Sequence, residues 1–256
     1  IVESSSECIV MQERTHSKRT EFLESIFQSL SPEEQEQANR DMYGTEPPVA
    51  ESQELIQGKV EELRTELSLL SKKTRKPYLE ALRIMEQQKG KIEGGQYNMP
   101  DFYLMFLRAE RFDARMAARR LTQFFKVKMK LFGKTEKLIR NIKQSDLSAE
   151  DRETLSSGAI CVTGATDSVG RLILLGRHNE ILGLDVFSVM RVCFYLVNSA
   201  IVDHVESQKR GVVLLIYSIG PPAMTQPRKF FPVCRMMGRS LPIRISAVHF
   251  CCSHVR

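Results

Sequence analysis

The segment 211–220, with the sequence GVVLLIYSIG, places the strongest constraint on the fold of this chain. An unbroken run of β-branched and leucine side chains occupies positions 212–216, and a glycine stands at each end. A strand that is apolar on both faces needs cover above and below, which is typical of a central strand in a helix-covered sheet. Helices are predicted before it, over 184–207, and after it, over 226–240. The sequence therefore predicts an α/β fold.

The length and composition limit the class of protein. A chain of 256 residues can bury a sizeable core in one large or two small domains. It has no run of eighteen apolar residues, so no transmembrane helix is expected, and its polar first residues do not resemble a signal peptide. The six cysteines are scattered and mostly lie in apolar runs, which is typical of reduced, packed thiols. We therefore expect a cytoplasmic protein.

The formal net charge of +6 conceals two segments of opposite sign. Residues 1–66 carry fifteen acidic and six basic side chains, whereas residues 108–143 carry twelve basic and three acidic ones. A charge run is usually the solvated face of a helix, but a basic surface can also contact the phosphates of lipid headgroups or of nucleic acid. The sign pattern alone leaves these alternatives open.

The first part of the chain is predicted to be an extension, residues 1–77. Residues 1–50 are expected to be weakly ordered, with a short helix capped by Ser31. Further along, an apolar stripe recurs at spacings of three and four, which predicts a helix that packs on the domain or on a partner helix. Its members are Ile56, Val60, Leu63, Leu67 and Leu70. We expect residues 78–157 to form a helical lobe and residues 158–256 an α/β lobe.

The segment 106–113, FLRAERFD, joins two predicted helices, of which the second is capped by Asp113. It resembles the FLRARKFD type of segment that joins two helices of the N-terminal lobe in CRAL-TRIO proteins, lipid-binding proteins similar to the yeast phosphatidylinositol-transfer protein. The resemblance covers roughly residues 78–256. Family members continue with a loop, a lid helix and a closing strand, so the resemblance implies a chain that lacks this C-terminal part.

Two interpretations compete for the segment 162–171, VTGATDSVGR. VTGAT resembles the opening of a short-chain dehydrogenase dinucleotide loop, which needs a middle glycine and a following helix. The middle glycine position holds Asp167, the residues after Gly170 are strand-like, and Tyr195 is followed four positions later by Ser199 rather than lysine. CRAL-TRIO domains resemble this chain more closely, with an Asp, a short gap and Gly-Arg entering a strand.

The helix predicted before the central strand is apolar on most sides, so it is either buried or borders an apolar cavity. The resemblance favours a cavity between the sheet and the helices. The candidate ligand-binding residues, each of which could equally be plain core, are Phe187, Met190, Phe194, Leu214, Ile216 and Phe250. The histidines and cysteines at 249–254 alternate between the two faces of a strand, so no metal site is expected.

The expected fold is an N-terminal helical lobe packed on a mixed, helix-covered β-sheet. The resemblance implies binding of a phospholipid or isoprenoid-type ligand and its transfer between membranes, without a catalytic residue, cofactor or nucleic acid. Peripheral docking on an anionic membrane is expected from the basic helix, through Arg115, Arg119, Arg120, Lys126, Lys128 and Lys130. The alternatives are a scaffold for membranes or proteins, with residues 1–70 contacting a protein partner, and a dehydrogenase-like NAD(P)-binding protein.

Overall fold

The computed structural model describes residues 24–89, 96–218 and 227–252. The chain divides into two compact units, residues 1–46 and 47–256. In the first unit, helix α1 (Pro32–Tyr43) begins as the sequence predicts, because Ser31 and Glu34 form a reciprocal capping box. The segment before residue 24, which is expected to be weakly ordered, lies outside the described residues.

The second unit begins with a helical lobe that is built around one long helix. Its helices are α2 (Gln53–Leu69), α3 (Lys72–Gln87), α4 (Met99–Ala109), α5 (Ala114–Phe132) and α6 (Ala149–Ser156), with two 3-10 turns at Glu136–Ile139 and Gln144–Asp146. Helices α2, α3 and α4 all pack against α5. The expected boundary at residue 77 therefore falls inside α3, within this helical packing.

The predicted apolar stripe supplies the contact of α2 with the lobe. Val60, Leu63 and Leu67 are buried, and Ile56 and Leu70 pack at the margin of the same hydrophobic core. In the same core, the rings of Phe102, Phe106, Phe124 and Phe125 contact one another at centroid distances of 5.1–5.8 Å. Such aromatic pairs add stabilisation beyond the area they bury.

The turn between α4 and α5 is left-handed at two residues that are not glycine. Arg111 and Phe112 have φ angles of 51° and 65°. The turn is held by the N–H of Phe112, which donates to the carbonyl of Leu107 at 2.7 Å, and by the carboxylate of Asp113, which accepts from the N–H of Met116. The segment 106–113 therefore fixes a sharp helix–turn–helix.

The α/β lobe contains a four-stranded mixed sheet, and the predicted fold class is confirmed. Its strands are β1 (Ile160–Thr166), β2 (Leu172–Arg177), β3 (Val212–Ser218) and β4 (Ile245–Cys252), in the order β1-β2-β3-β4. Strands β1 and β2 are antiparallel, whereas β2, β3 and β4 run parallel. The apolar segment 211–220 supplies β3, an interior strand as predicted.

Helices α7 (His178–Leu182), α8 (Val186–Val202), α9 (Val205–Arg210) and α10 (Pro227–Ser240) connect the strands. The single helix expected over 184–207 is two helices, because the chain turns at Asp203 and the side chain of His204 caps α9. Side chains of α7, α8 and α10 meet one face of the sheet, which we call the covered face. Its apolar members include Leu174, Leu214 and Ile216.

The opposite face of the sheet, which we call the open face, is also apolar. Registered residues of neighbouring strands project to the same side, so the pairs Ile173–Val213, Leu175–Leu215 and Leu215–His249 define this face. The registered residues on this face are Cys161, Ile173, Leu175, Arg177, Val213, Leu215, Tyr217, Ala247, His249 and Cys251, of which Arg177 is the charged member at the end of β2. The sequence predicts helices on both faces of β3; the described helices α7, α8 and α10 lie on the covered face.

Candidate functional site: the open sheet face and a basic groove

The space between the covered face and its helices is almost completely filled. A cavity of about 20 Å³ remains there, lined by residues such as Leu174, Leu196, Leu214, Ile216 and Met237. That volume holds about one water molecule, whereas ligand pockets typically enclose about 300–1,000 Å³. This layer is therefore packed core.

The six candidate ligand-binding residues do not surround one cavity. Leu214 and Ile216 line the small cavity of the covered face, and Met190 lies at a separate groove. Phe187 and Phe250 are exposed, with 40% and 69% of their surfaces accessible. These side chains therefore do not line one apolar pocket, as was expected from the sequence.

Phe194 belongs to the aromatic core of the helical lobe. It is fully buried, and its ring lies 5.1 Å from that of Phe124 and 5.7 Å from that of Phe132. Neighbouring Cys193 is also buried, and this burial raises the pKa of its thiol to about 12. Phe194 thus joins α8 to α5, and it lies in packed core rather than at the expected ligand pocket.

The open face carries apolar side chains that stand apart from the main hydrophobic core. That core includes Leu172, Leu174, Val212, Leu214 and Ile216 from the covered face but excludes their open-face neighbours. On the open face Val213 and Ala247 are buried, Ile173, Leu175 and Leu215 are half-buried, and Tyr217 is 40% exposed. Strands usually leave the solvent side of a sheet polar, so an apolar open face needs an explanation.

The cations of the basic helix α5 form two groups. Some are exposed to solvent, and others are bonded to groups within the protein. Arg115, Arg119, Lys126 and Lys130 are exposed. Arg120 pairs with Glu110 and donates to the carbonyls of Leu241 and Ile243, so it connects the lobe to the segment before β4. Its expected role in membrane docking is replaced by a structural one.

Lys128 is fully buried and cannot contact a membrane. Its Nζ donates to the hydroxyl of Tyr97 and to the carbonyl of Arg140, and it lies 4.6 Å from the centre of the Tyr97 ring. Burial, together with the charge of Arg140, lowers the pKa of Lys128 well below its ordinary value. The expected docking role of Lys128 is therefore corrected.

Three exposed cations of α5, Arg119, Lys126 and Lys130, form one wall of a groove of about 830 Å³. The second wall is α10, which contributes Arg235 and Arg239, two cations that were not predicted from the sequence. Between the walls lie apolar side chains: Met116, Val127, Met190, Pro232 and Met236. We call this feature the basic groove. The sequence did offer a sign of this second wall, because Arg235 and Arg239 are four residues apart and therefore lie on the same side of a helix.

The segment 162–171 does not form a phosphate-binding loop. The carboxylate of Asp167 accepts from the N–H groups of Val169 and Arg171 and pairs with the Arg171 guanidinium at 2.6 Å. The residues after Gly170 continue as β2, antiparallel to β1, instead of a helix aimed at the loop. Burial raises the pKa of Asp167, but Arg171 outweighs it and leaves that pKa below its usual range.

The described residues 24–89, 96–218 and 227–252 hold no cluster of three or more His, Cys, Asp or Glu side chains that could bind a metal ion. His254, part of the histidine- and cysteine-containing segment, lies outside this region. None of the described helices combines the length and apolar character needed to cross a membrane.

The fold and these features define an α/β protein with a helical lobe, a mixed sheet with one open apolar face, and a basic groove. A scan against protein-family models finds no match, and a search of curated proteins also finds none.

Proposed function

We propose that this protein binds a hydrophobic lipid, a phospholipid or an isoprenoid-type molecule, and transfers it between membranes. The observation that carries the proposal is the row of apolar side chains on the open face, outside the main hydrophobic core. The resemblance of the segment 106–113 to CRAL-TRIO proteins supports the same class of ligand. Burial of about 300 Å² of apolar guest surface would contribute about 7 kcal/mol, so no catalytic group is needed.

The guest is assigned to the open face because the covered face of β1, β2 and β3 is already filled. A lipid chain laid across β2 and β3 would contact Ile173, Leu175, Val213 and Leu215 and would extend toward Tyr217. The four aliphatic side chains offer dispersion contacts to the lipid chain, and their apolar surface is removed from water when the lipid binds. They carry no polar group that would need a hydrogen-bond partner once it is covered. This revises the expected pocket between sheet and helices.

The exposed cations of α5 are proposed to hold the protein at an anionic membrane. Arg115, Arg119, Lys126 and Lys130 remain from the predicted set, and Arg235 and Arg239 extend it. Each surface cation near an anionic leaflet contributes about 1 kcal/mol. Such docking would be peripheral and reversible, which suits a protein that collects and releases lipid.

Mass spectrometry of organic extracts tests the binding function. The protein is purified without detergent, and its extract is compared with that of an equally treated protein of similar size. We expect one lipid class at close to one molecule per chain. An extract with no lipid above the comparison protein, together with no uptake of labelled phospholipid or isoprenoid from vesicles, would contradict the proposal.

A scaffold function is the second candidate, and one observation favours it. Helix α1 buries none of its side chains, while Met42 and Tyr43 at its C-terminal end are 61% and 45% exposed. These residues could contact a protein partner. Lipid-free protein that captures a defined partner through residues 1–70 would support the scaffold over the transfer protein.

A further inference from the structure

The basic groove combines charge and apolar surface in a way that a flat docking surface does not require. Six cations and one carboxylate line it, and the carboxylate, Glu110, is paired with Arg120. Among the described residues, no acidic side chain lies within ion-pair distance of Arg119, Lys126, Arg235 or Arg239. The groove therefore has uncompensated positive charge on both walls.

This lack of partners contrasts with three arginines elsewhere in the second unit. Arg108 pairs with Glu51 at 2.7 Å, Arg140 with Asp146 at 2.6 Å and Arg191 with Asp151 at 2.8 Å. In these places the sequence supplies a carboxylate for the guanidinium. In the groove, the described residues supply a carboxylate only for Arg120, so an anion from outside the chain would complete the arrangement at the other cations.

The floor of the groove offers apolar contacts in addition to the charge of the walls. Met190 and Met236 are buried at its base, and Val127, Met116 and Pro232 border it. Methionine side chains are flexible and polarizable, so they adapt to apolar groups of different shape. The groove volume of about 830 Å³ lies within the range of small-molecule sites.

We infer that the basic groove is a second ligand site, which binds a single anionic amphiphile. The anionic head would pair with the wall cations, chiefly Arg119, Arg235 and Arg239, while the apolar chain would lie on the methionine floor. The molecule could be a free fatty acid or alkyl phosphate, or one anionic lipid of a bilayer, because the two share this chemistry. The inference deepens, and rests on, the membrane-docking part of the proposed function.

A tryptophan reporter allows a direct test. The chain contains no tryptophan, so Gln123→Trp places a single fluorophore in the groove wall. The protein is titrated with dodecyl phosphate below its aggregation concentration, with inorganic phosphate as the head alone and dodecyl maltoside as the uncharged analogue. We expect a saturable blue shift with dodecyl phosphate that neither control produces at the same concentration.

Two variants in the reporter background identify the contacts. Arg119→Gln combined with Arg235→Gln should weaken dodecyl phosphate binding by at least about tenfold, and Met116→Gln, at an exposed floor position, by about threefold. Lys134→Gln combined with Arg152→Gln is the matched control, because both cations are exposed and neither lines the groove. Equal loss in this control variant would overturn the inference, as would a lack of saturable binding.

Experiments with vesicles show whether the groove binds a free amphiphile, a lipid of the bilayer or both. They also distinguish this binding from membrane docking in general. Phosphatidylserine vesicles should produce the same blue shift, phosphatidylcholine vesicles should not, and dodecyl phosphate should displace the protein from the anionic vesicles. If the protein sediments with anionic vesicles but dodecyl phosphate neither binds nor displaces it, the inference falls and membrane docking stands. If neither ligand binds, both fall.

Discussion

The carboxylate of Asp151 accepts a hydrogen bond from Nε of Arg191 at 2.9 Å and pairs with its Nη2 at 2.8 Å. The same carboxylate accepts from the hydroxyl of Ser188 at 2.9 Å and from the N–H of Ser148 at 3.1 Å. Asp151 lies at the start of α6, and Arg191 and Ser188 lie on α8. This buried network therefore ties the helical lobe to the helix that covers the sheet.

Replacement of Asp151 should destabilise the protein strongly. Asp151→Ala leaves the Arg191 guanidinium without its carboxylate and removes one of the two partners of the buried Ser188 hydroxyl, so we expect a loss of about 3–5 kcal/mol in the free energy of unfolding. Urea denaturation followed by circular dichroism measures it. Glu150→Ala, at the neighbouring exposed position, is the control and should stay within about 0.5 kcal/mol. Similar losses in both variants would contradict the role of the network.

Asp146 should make the free energy of unfolding fall at acidic pH. Its hydrogen bond with Arg140 at 2.6 Å outweighs burial and lowers the pKa of Asp146 to about 2. Because the folded-state pKa lies below the unfolded value, this contribution is present above about pH 4 and is lost as the pH falls toward about 2. Asp146→Asn should reduce the fall in unfolding free energy across that window. An unchanged pH profile in the variant would show that Asp146 does not titrate in this way.

Lys128 should make the stability depend on alkaline pH. Its pKa is lowered in the folded protein, so between that pKa and the ordinary value near 10.5 the unfolded chain binds more protons than the folded one. The natural protein should therefore gain stability relative to Lys128→Met as the pH rises toward about 10, by at most about 1.4 kcal/mol per pH unit. Thermal unfolding at several alkaline pH values measures the difference, and a constant offset would contradict a lowered pKa of Lys128.

Phe194 and Phe250 should respond very differently to truncation. Phe194→Ala removes a fully buried ring from the aromatic core and should lower the free energy of unfolding by about 3–5 kcal/mol, whereas Phe250 is mostly exposed and Phe250→Ala should change it by about 0.5 kcal/mol or less. Chemical denaturation of the two variants checks this. A small effect at Phe194 would indicate that its ring does not fill the core.

Local sequence patterns predicted much of the fold because their causes are local. Ser31 and Asp113 begin helices as expected, since each side chain accepts a backbone N–H in the first turn. The apolar run of β3 identified an interior strand. The burial of Lys128 could also have been predicted, because it lies four residues after Phe124 and seven after Leu121, on the buried face of α5.

Tertiary placement was the part that the sequence left open. A strand such as β3, apolar on both faces, has the same sequence pattern whether helices cover one face or two. The basic groove depends on α10 packing beside α5, and the two helices are about a hundred residues apart in the chain. Residues such as Phe187 and Phe194, seven positions apart on one helix, could be assigned to solvent and core only from the packing of α8.

Lipid binding on the open face can be tested at two aromatic residues on neighbouring strands. Tyr217 projects from β3 on the open face, whereas Phe250 projects from β4 on the covered-face side, and both are exposed. The decisive measurement is the amount of lipid extracted per chain from Tyr217→Asp and Phe250→Asp, each checked for folding by circular dichroism. We predict that Tyr217→Asp loses most of the bound lipid and Phe250→Asp retains it; equal retention in both, or loss confined to Phe250→Asp, would contradict the open-face site.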